Sequence, residues 1–357
     1  TLEQAQANAD AAAGSYFPSF DARGSAARQG RAVNYSGPTF NLFNASVSVA
    51  YVLDVFGGVR RSVEATEALA ETSRFRMEAT YSALTSNVLT TAIRVASVQA
   101  QISATQDIIK AQSQELDLLN QQFELGAVAK GDVLAQQSQL AQTQATLPSL
   151  QKLLSQFQNQ LAQLLGRYPG PDALPTLDLN ELYLPTDLPV SVPSKLVDQR
   201  PDIRQAEANL HAASAGVGVA TANLLPQFTI SASYGDSQPG VRNTSDLFDS
   251  SNIVWNLASG LTQPIFHGGA LIEKREAALA AFDAAAASYR AAVLSSFQDV
   301  ANVLRALQLD AEALRVQLYA EQTASQSLDI VQERFRAGAV SYISLLDADR
   351  KSTRLNS

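Results

Sequence analysis

Few residues in this chain could carry chemistry. The only two histidines, His211 and His267, lie far apart and have no partner at metal-ligand spacing, so structural or exposed roles fit both. There is no cysteine, which removes thiolate and disulfide chemistry and leaves the redox compartment unreadable. No G-x-S-x-G, P-loop or H-E-x-x-H run occurs, and scattered serines and aspartates do not make a triad. The sequence therefore predicts no enzyme, no cofactor and no metal centre. Two carboxylates remain, each set a short distance after a glycine: Asp132 six residues after Gly126, and Asp347 nine after Gly338. An acid there sits in the first or second turn of a helix and interacts favourably with the helix dipole.

The elements that position these acids occur twice. Leu116 to Leu134 (LDLLNQQFELGAVAKGDVL) and Leu328 to Leu346 (LDIVQERFRAGAVSYISLL) align at a constant offset of 212, with identical pairs at Leu116/Leu328, Phe123/Phe335, Gly126/Gly338, Ala127/Ala339 and Val128/Val340. The chain is an internal duplication, and a repeat is read before any local pattern. The same offset pairs Gly57 with Gly269. No proline interrupts the 69 residues from either glycine to its tip, so each interval predicts one helix of about 100 Å. At the tips, Gly126-Ala127-Val128 and Gly338-Ala339-Val340 read as glycine caps that end a helix and start a turn.

Before each long helix the period changes to two. Phe43, Ala45, Val47, Val49, Tyr51, Leu53 and Val55 alternate with polar residues; so do Phe228, Ile230, Ala232 and Tyr234, and Ile253, Trp255, Leu257, Leu261 and Ile265. Residues 19–28 supply a weaker fourth strand. Each copy thus predicts a hairpin, with polar loops at about 29–38 and 235–251. The strands are long enough to cross a bilayer at a tilt, but four cannot close a barrel, and open edges cannot be left in lipid. Either several protomers share one barrel or the strands form a soluble sheet.

Along the first long helix, thirteen heptad positions from Tyr81 to Phe123 hold ten apolar residues, and the frame from Val293 to Phe335 holds nine, the seam of helices packed side by side. The chain turns at Gly126 and returns from about Asp132 to Leu165. Tyr168 to Pro193 holds six of the thirteen prolines and predicts an irregular belt at mid-height. Ser194 opens another helix, with Arg200-Pro201-Asp202 in its first turn. The expected segments are 1–16, the end of a helix whose beginning precedes Thr1; 17–56, a hairpin; 57–166, long helix, tip and return; 167–193, the proline-rich insert; 194–225, a helix; 226–266, the second hairpin; and 267–350, the second helix and tip. Residues 351–357 abandon the repeat and read as a non-native tail from translated adapter sequence.

The 357 residues carry a net charge of -8 with 17% charged residues, which argues against nucleic acid as a partner. No apolar run approaches the length of a transmembrane helix.

The duplicated hairpin-plus-helix plan, together with RPDIRQAEANLHAASAGVGVATANLLPQF (200–228), PIFHGG (264–269) and RFRAGAVSYISLLDADR (334–350), resembles the outer membrane efflux proteins, and more narrowly the lipoprotein branch that serves resistance-nodulation-division pumps. The resemblance covers about residues 1–350. It implies a mainly α fold with a membrane β part, in which each protomer of a homotrimer gives four strands to a twelve-stranded β-barrel in outer membrane lipid and helices to a long α-helical barrel across the periplasm of a Gram-negative bacterium. It further implies an exit duct for drugs or other small toxic compounds that works with a periplasmic adaptor (membrane fusion protein) and an inner-membrane resistance-nodulation-division transporter. Gly126, Ala127, Val128, Gly338, Ala339 and Val340 would dock the adaptor. Asp132, Phe335, Val340, Ser344 and Asp347 would line the pore constriction, and threefold symmetry would make Asp347 a ring that favours cations. The positions that could hold a tyrosine and arginine latch hold Phe335 and Val340, and Ser344 replaces an acid, so hydrophobic packing is expected at the tip in place of an ionic latch. Tyr51, Tyr234 and Trp255 would form an aromatic girdle at the membrane interface. Members usually carry a signal peptide and a lipidated cysteine, and this chain begins after both. The rival readings are the duct of a type I protein secretion or heavy-metal efflux system, the latter unsupported by the single Met77, and a soluble coiled-coil scaffold.

Overall fold

The computed structural model describes residues 1–30, 39–170, 179, 199–236, 240–247, 249–341, 344–345, 347–349 and 351–352. Of the loop predicted at about 29–38, Gln29 and Gly30 belong to the first strand and 31–38 lie outside the described residues, as do nearly all of the proline-rich insert, the helix start at Ser194 and the tail after Ser352. The chain falls into two units, Thr1–Ala79 with Pro193–Phe297 and Thr80–Val192 with Gln298–Ser357. Two long helices contribute to both.

In the first unit, α1 (Leu2–Ala13) leads through a 3-10 turn and Pro18 into β1 (Ser19–Gly30), which pairs antiparallel with β2 (Thr39–Leu53). The second copy repeats this plan: α4 (Pro201–Ala222) leads through Pro226 into β3 (Gln227–Asp236), which pairs with β4 (Ile253–Thr262). Strands β1 and β3 start at Ser19 and Gln227, the offset of 208 expected from the proline corners. The hairpins join through β2 and β3 into one antiparallel sheet of order β1-β2-β3-β4. Ile265, expected in the last strand, lies beyond it and is exposed, because Pro264 has no N–H to give a ladder. Val55 likewise falls after β2, where Asp54 turns the chain into a helix.

The long helices are α2 (Gly58–Glu124) and α5 (Ala270–Arg336), each of 67 residues and offset by 212, about 100 Å each from the rise per residue. Gly57 (φ 79°) and Gly269 (φ 84°) precede them in left-handed conformations that glycine adopts without steric cost. Asp54 starts α2 by accepting from the N–H groups of Val59 and Arg60, both at 2.9 Å. At the start of α4, Pro201 occupies the first turn, and the Arg200 guanidinium forks onto Asp202 at 3.1 and 2.8 Å. Buried Ser296 of α5 donates to the same carboxylate at 3.4 Å, so the Arg-Pro-Asp run ties α4 to α5. His211 is not isolated: its Nε2 lies 2.8 Å from Glu64, which also accepts from Arg61.

In the second unit the chain turns after α2 and returns as α3 (Lys130–Leu164), continuous through Pro148. The α2 seam is realised against it. Thr91, Val95, Val98, Thr105, Gln112 and Leu119 are buried, whereas Tyr81, Leu84 and Phe123 at the ends of the frame are exposed. The α5 seam differs, with Val303, Leu307 and Leu314 exposed. Among the described residues after α5, 344–345 and 347–349 are helical, as are Lys351 and Ser352 of the segment set apart on sequence grounds. One window of α5 has the length and composition of a membrane-crossing helix, contrary to the expectation that none would.

Candidate functional site

The two tips are built by the same local rule. At the end of α2, Gly126 (φ 74°) donates to the Phe123 carbonyl at 2.9 Å and Ala127 to that of Gln122 at 2.8 Å. At the end of α5, Gly338 (φ 71°) donates to Phe335 at 2.9 Å and Ala339 to Arg334 at 2.8 Å. This is the Schellman arrangement, in which a left-handed residue closes the last carbonyls of a helix. A Cβ at either glycine would meet nothing within 4 Å, so backbone conformation and not crowding selects glycine there.

Beneath the turns lies a small apolar core of Leu119, Val133 and Leu345, with Leu116, Val128, Leu328, Val331 and Phe335 packed against it. Leu119 is only 1% exposed. Both copies thus contribute to one tip, and Val133 and Leu345 occupy equivalent repeat positions. Phe335 packs against this core within the chain, while its repeat partner Phe123 is exposed. Gly126, Ala127, Gly338 and Ala339 are exposed, and Val340 is half-buried. Asp132 accepts from the Ala129 N–H at 3.2 Å, the ordinary engagement of a first-turn acid. Ser344 pairs with the Ser341 hydroxyl at 3.2 Å, and exposed Asp347 pairs with Lys351 at 3.2 Å. Each of these three side chains is therefore engaged within its own turn.

Two features escaped the sequence reading. Leu125 is 84% exposed beside the first glycine, an apolar side chain directed away from the core. Further along the helices from the core lies a polar cluster: Gln112 of α2 is 2% exposed and Gln136 of α3 0%. Gln136 Nε2 donates to the Gln112 carbonyl at 3.2 Å and to Glu115 at 3.3 Å, while Gln112 Nε2 donates to Asp349 at 3.2 Å. Burial first, and the Asp349 charge second, push the Glu115 carboxyl up to about 7. The only sequence signal for this cluster was Gln112, a long polar residue interrupting an apolar seam.

The sheet has two chemically distinct faces. Register places Phe20, Val49, Ala232 and Leu257 in one row, Ala22, Val47, Tyr234 and Trp255 in the next, and Leu53, Phe228 and Leu261 further along the same face. Alternate rows hold Asp21, Ser48, Ser233 and Asn256, and Ser19, Ala50, Ser231 and Ala258. The apolar face is uncovered in the described chain: Leu257 is 67% and Trp255 73% exposed. A soluble sheet buries such a face against a core. Tyr234 and Trp255 stand directly opposite one another, whereas Tyr51 lies four residues along the strand from that row. Strands β1 and β4 each leave one edge unpaired among the described residues.

Comparison with known proteins agrees with this geometry. The pyoverdine export outer membrane protein OpmQ of Pseudomonas putida is 30% identical over 316 residues, covering 87% of this chain and 65% of OpmQ. The probable efflux pump outer membrane protein TtgC of the same organism is 28% identical over 340 residues, covering 94% of this chain and 69% of TtgC. This chain therefore spans about two thirds of the length of these relatives. Among solved structures, the outer-membrane channel OprN superposes with a TM-score of 0.90 at 28% identity, covering 99% of this chain and 80% of that one. The family model described as outer membrane efflux protein matches residues 1–167 and 192–354. That match takes in both copies of the repeat, with both hairpins and both tips, and the chain belongs to the outer membrane efflux protein family.

Proposed function

We propose that this chain is one subunit of a passive exit duct through the outer membrane, carrying compounds delivered by an energised inner-membrane partner. The observation that carries the reading is the sheet: four strands with an uncovered apolar face, a polar opposite face and two open edges. In water the apolar face has no cover, and in lipid the open edges have no hydrogen-bond partner. Both problems vanish when copies of the chain join β1 to β4 around a ring. Three copies give twelve strands, with apolar rows toward lipid and the Ser/Asn/Thr rows toward a water-filled lumen. Tyr234 and Trp255 in one row and Tyr51 in another then flank the Leu257 row on opposite sides, two residues from it along their strands.

The segments predicted from sequence take their roles from this assembly: hairpins 17–56 and 226–266 in the membrane, helices 57–166, 194–225 and 267–350 in the periplasmic tube, and 167–193 around it. The exposed tip residues Leu125, Gly126, Ala127, Gly338 and Ala339 suit docking of a periplasmic adaptor, and Asp132 and Asp347 suit the rim of a constriction. A resistance-nodulation-division transporter is the energised partner this reading names. OpmQ is named for pyoverdine, but a passive conduit imposes little selectivity, so no cargo is carried over. In detergent the purified protein should run as three copies and, in planar bilayers, conduct ions. A stable detergent-independent monomer would sink the proposal.

A further inference from the structure

The two hairpins are related by two fixed offsets. The first strands lie 208 residues apart, Ser19 to Gln227, and the second strands 212 apart, Ala50 to Thr262, so the pair Ser19↔Ala50 of one hairpin becomes Gln227↔Thr262 in the other. The duplication therefore preserves strand register. Between the hairpins stands one joint, β2 with β3, in which Val47 faces Tyr234 and Val49 faces Ala232. The repeat counterparts of β2 and β3 are β4 and β1, whose outer edges are unpaired among the described residues. The same offsets turn the two internal pairs into Ser259↔Ala26 and Leu261↔Gly24. That register sets apolar row beside apolar row, which a slip of one residue would not do.

The helix ends beside the joint carry a second, independent mark. Where α2 begins against the end of α4, a Cβ on Gly58 would come 3.1 Å from the Ala222 methyl, so the crossing has room for one methyl group. The counterparts are Ala270 at the start of α5 and Gly14 at the end of α1, the same two residue types exchanged. Inside the lone chain nothing selects glycine at position 14. Its φ of -55° is an ordinary helical value, and a Cβ there would meet nothing within 4 Å. Gly14 and Ala270 are both exposed. A gap on one open side and a methyl on the other complete the crossing once a second copy stands alongside.

We propose that β4 with the start of α5 is a docking surface for β1 and the end of α1 of a second copy, and that the contact repeats the β2–β3 joint: Ser259 opposite Ala26, Leu261 opposite Gly24, and the Ala270 methyl seated on Gly14. The inference rests on the ring proposed above. It adds the register in which the copies pair and a site, Gly14, whose residue type the contact explains.

The 357 residues contain no cysteine, so a pair of introduced thiols reports a single contact. In one chain β1 and β4 stand three ladder spacings apart, roughly 14 Å, about twice the Cα separation a disulfide spans, so any bond formed joins two copies. Under mild oxidation in detergent, Ala26→Cys with Ser259→Cys should give covalent dimers and trimers on non-reducing gels. Ala26→Cys with Leu257→Cys or with Leu261→Cys, diagonal pairs about 7–8 Å apart, should give markedly less. Gly14→Val should lower the temperature at which the trimer dissociates, and Ala270→Gly in the same chain should recover part of that loss. Stronger cross-linking at either diagonal pair overturns the register. Trimers that conduct in bilayers while none of the three pairs links also overturn it and leave the duct standing, whereas a protein that stays monomeric removes both. If the cysteine variants do not assemble, the other pair decides alone: an unchanged dissociation temperature in Gly14→Val, or a loss that Ala270→Gly does not relieve, overturns the inference.

Discussion

Strand β4 offers a test in which two adjacent residues must behave oppositely. Its ten residues, Ile253–Thr262, span about 30 Å at the usual rise, or about 25 Å normal to a bilayer at a 40° tilt, the height of an apolar barrel band. Leu257 lies four residues from both Ile253 and Leu261, so it sits at the middle of that band, in the row with Ala232, Val49 and Phe20. Leu257→Arg places a guanidinium at the bilayer midplane and should cost about 2–4 kcal/mol per copy. Ala258→Arg, one residue on, points to the other face beside Ser231 and should cost little. Folding into lipid vesicles across a urea gradient, followed by protease protection, measures the difference. The Leu257 variant should lose folded protein at markedly lower urea while the Ala258 variant tracks the parent. Equal losses, or the larger loss at Ala258, would show that the apolar rows do not face lipid, and the barrel with its lumen would fall with them.

Other perturbations probe the tips and the helix start. Gly126→Ala and Gly338→Ala force a left-handed alanine where space is free, so each should destabilise its tip by about 1–2 kcal/mol through conformation alone, with Gly126→Asn milder; local hydrogen exchange reads the cost, and no change at either site would refute the capping argument. Asp54→Ala removes the cap of α2 and should cost about 1 kcal/mol in thermal unfolding. Asp347→Ala removes an exposed charge that the proposed duct sets at its rim and should raise single-channel conductance or weaken block by multivalent cations; unchanged values would take Asp347 out of the proposed constriction.

What could be read from the sequence is what local physics decides. The glycines at 57, 126, 269 and 338 were legible because a left-handed turn favours one residue type wherever it occurs, and the helix bounds at 58 and 270 follow from them. The strand faces were legible because alternation is a property of the strand itself; only Ile265, cut off by Pro264, and Val55, displaced by the Asp54 cap, departed from the pattern. The Glu115–Asp349 relation was not legible. The two are 234 residues apart in sequence, and their approach depends on the register of three helical elements, which no local period encodes.

The two seams carry the same kind of pattern to different outcomes. Heptad spacing states that a helix wants a neighbour and not which neighbour is present. The α2 seam buries Val95, Val98 and Leu119 because α3 returns along it, while Val303, Leu307 and Leu314 of α5 stay exposed where the helical residues described after α5 are 344–345, 347–349 and 351–352. The exposed apolar rows of the sheet follow the same logic: their period is right, and no described element covers them. Regularly spaced exposed apolar residues thus read as contact surface, which the proposed assembly gives to lipid on the sheet and to other helices on α5. The buried polar positions Gln112 and Gln136 are where the chain keeps side chains that an apolar seam would have excluded, each held by hydrogen bonds between elements.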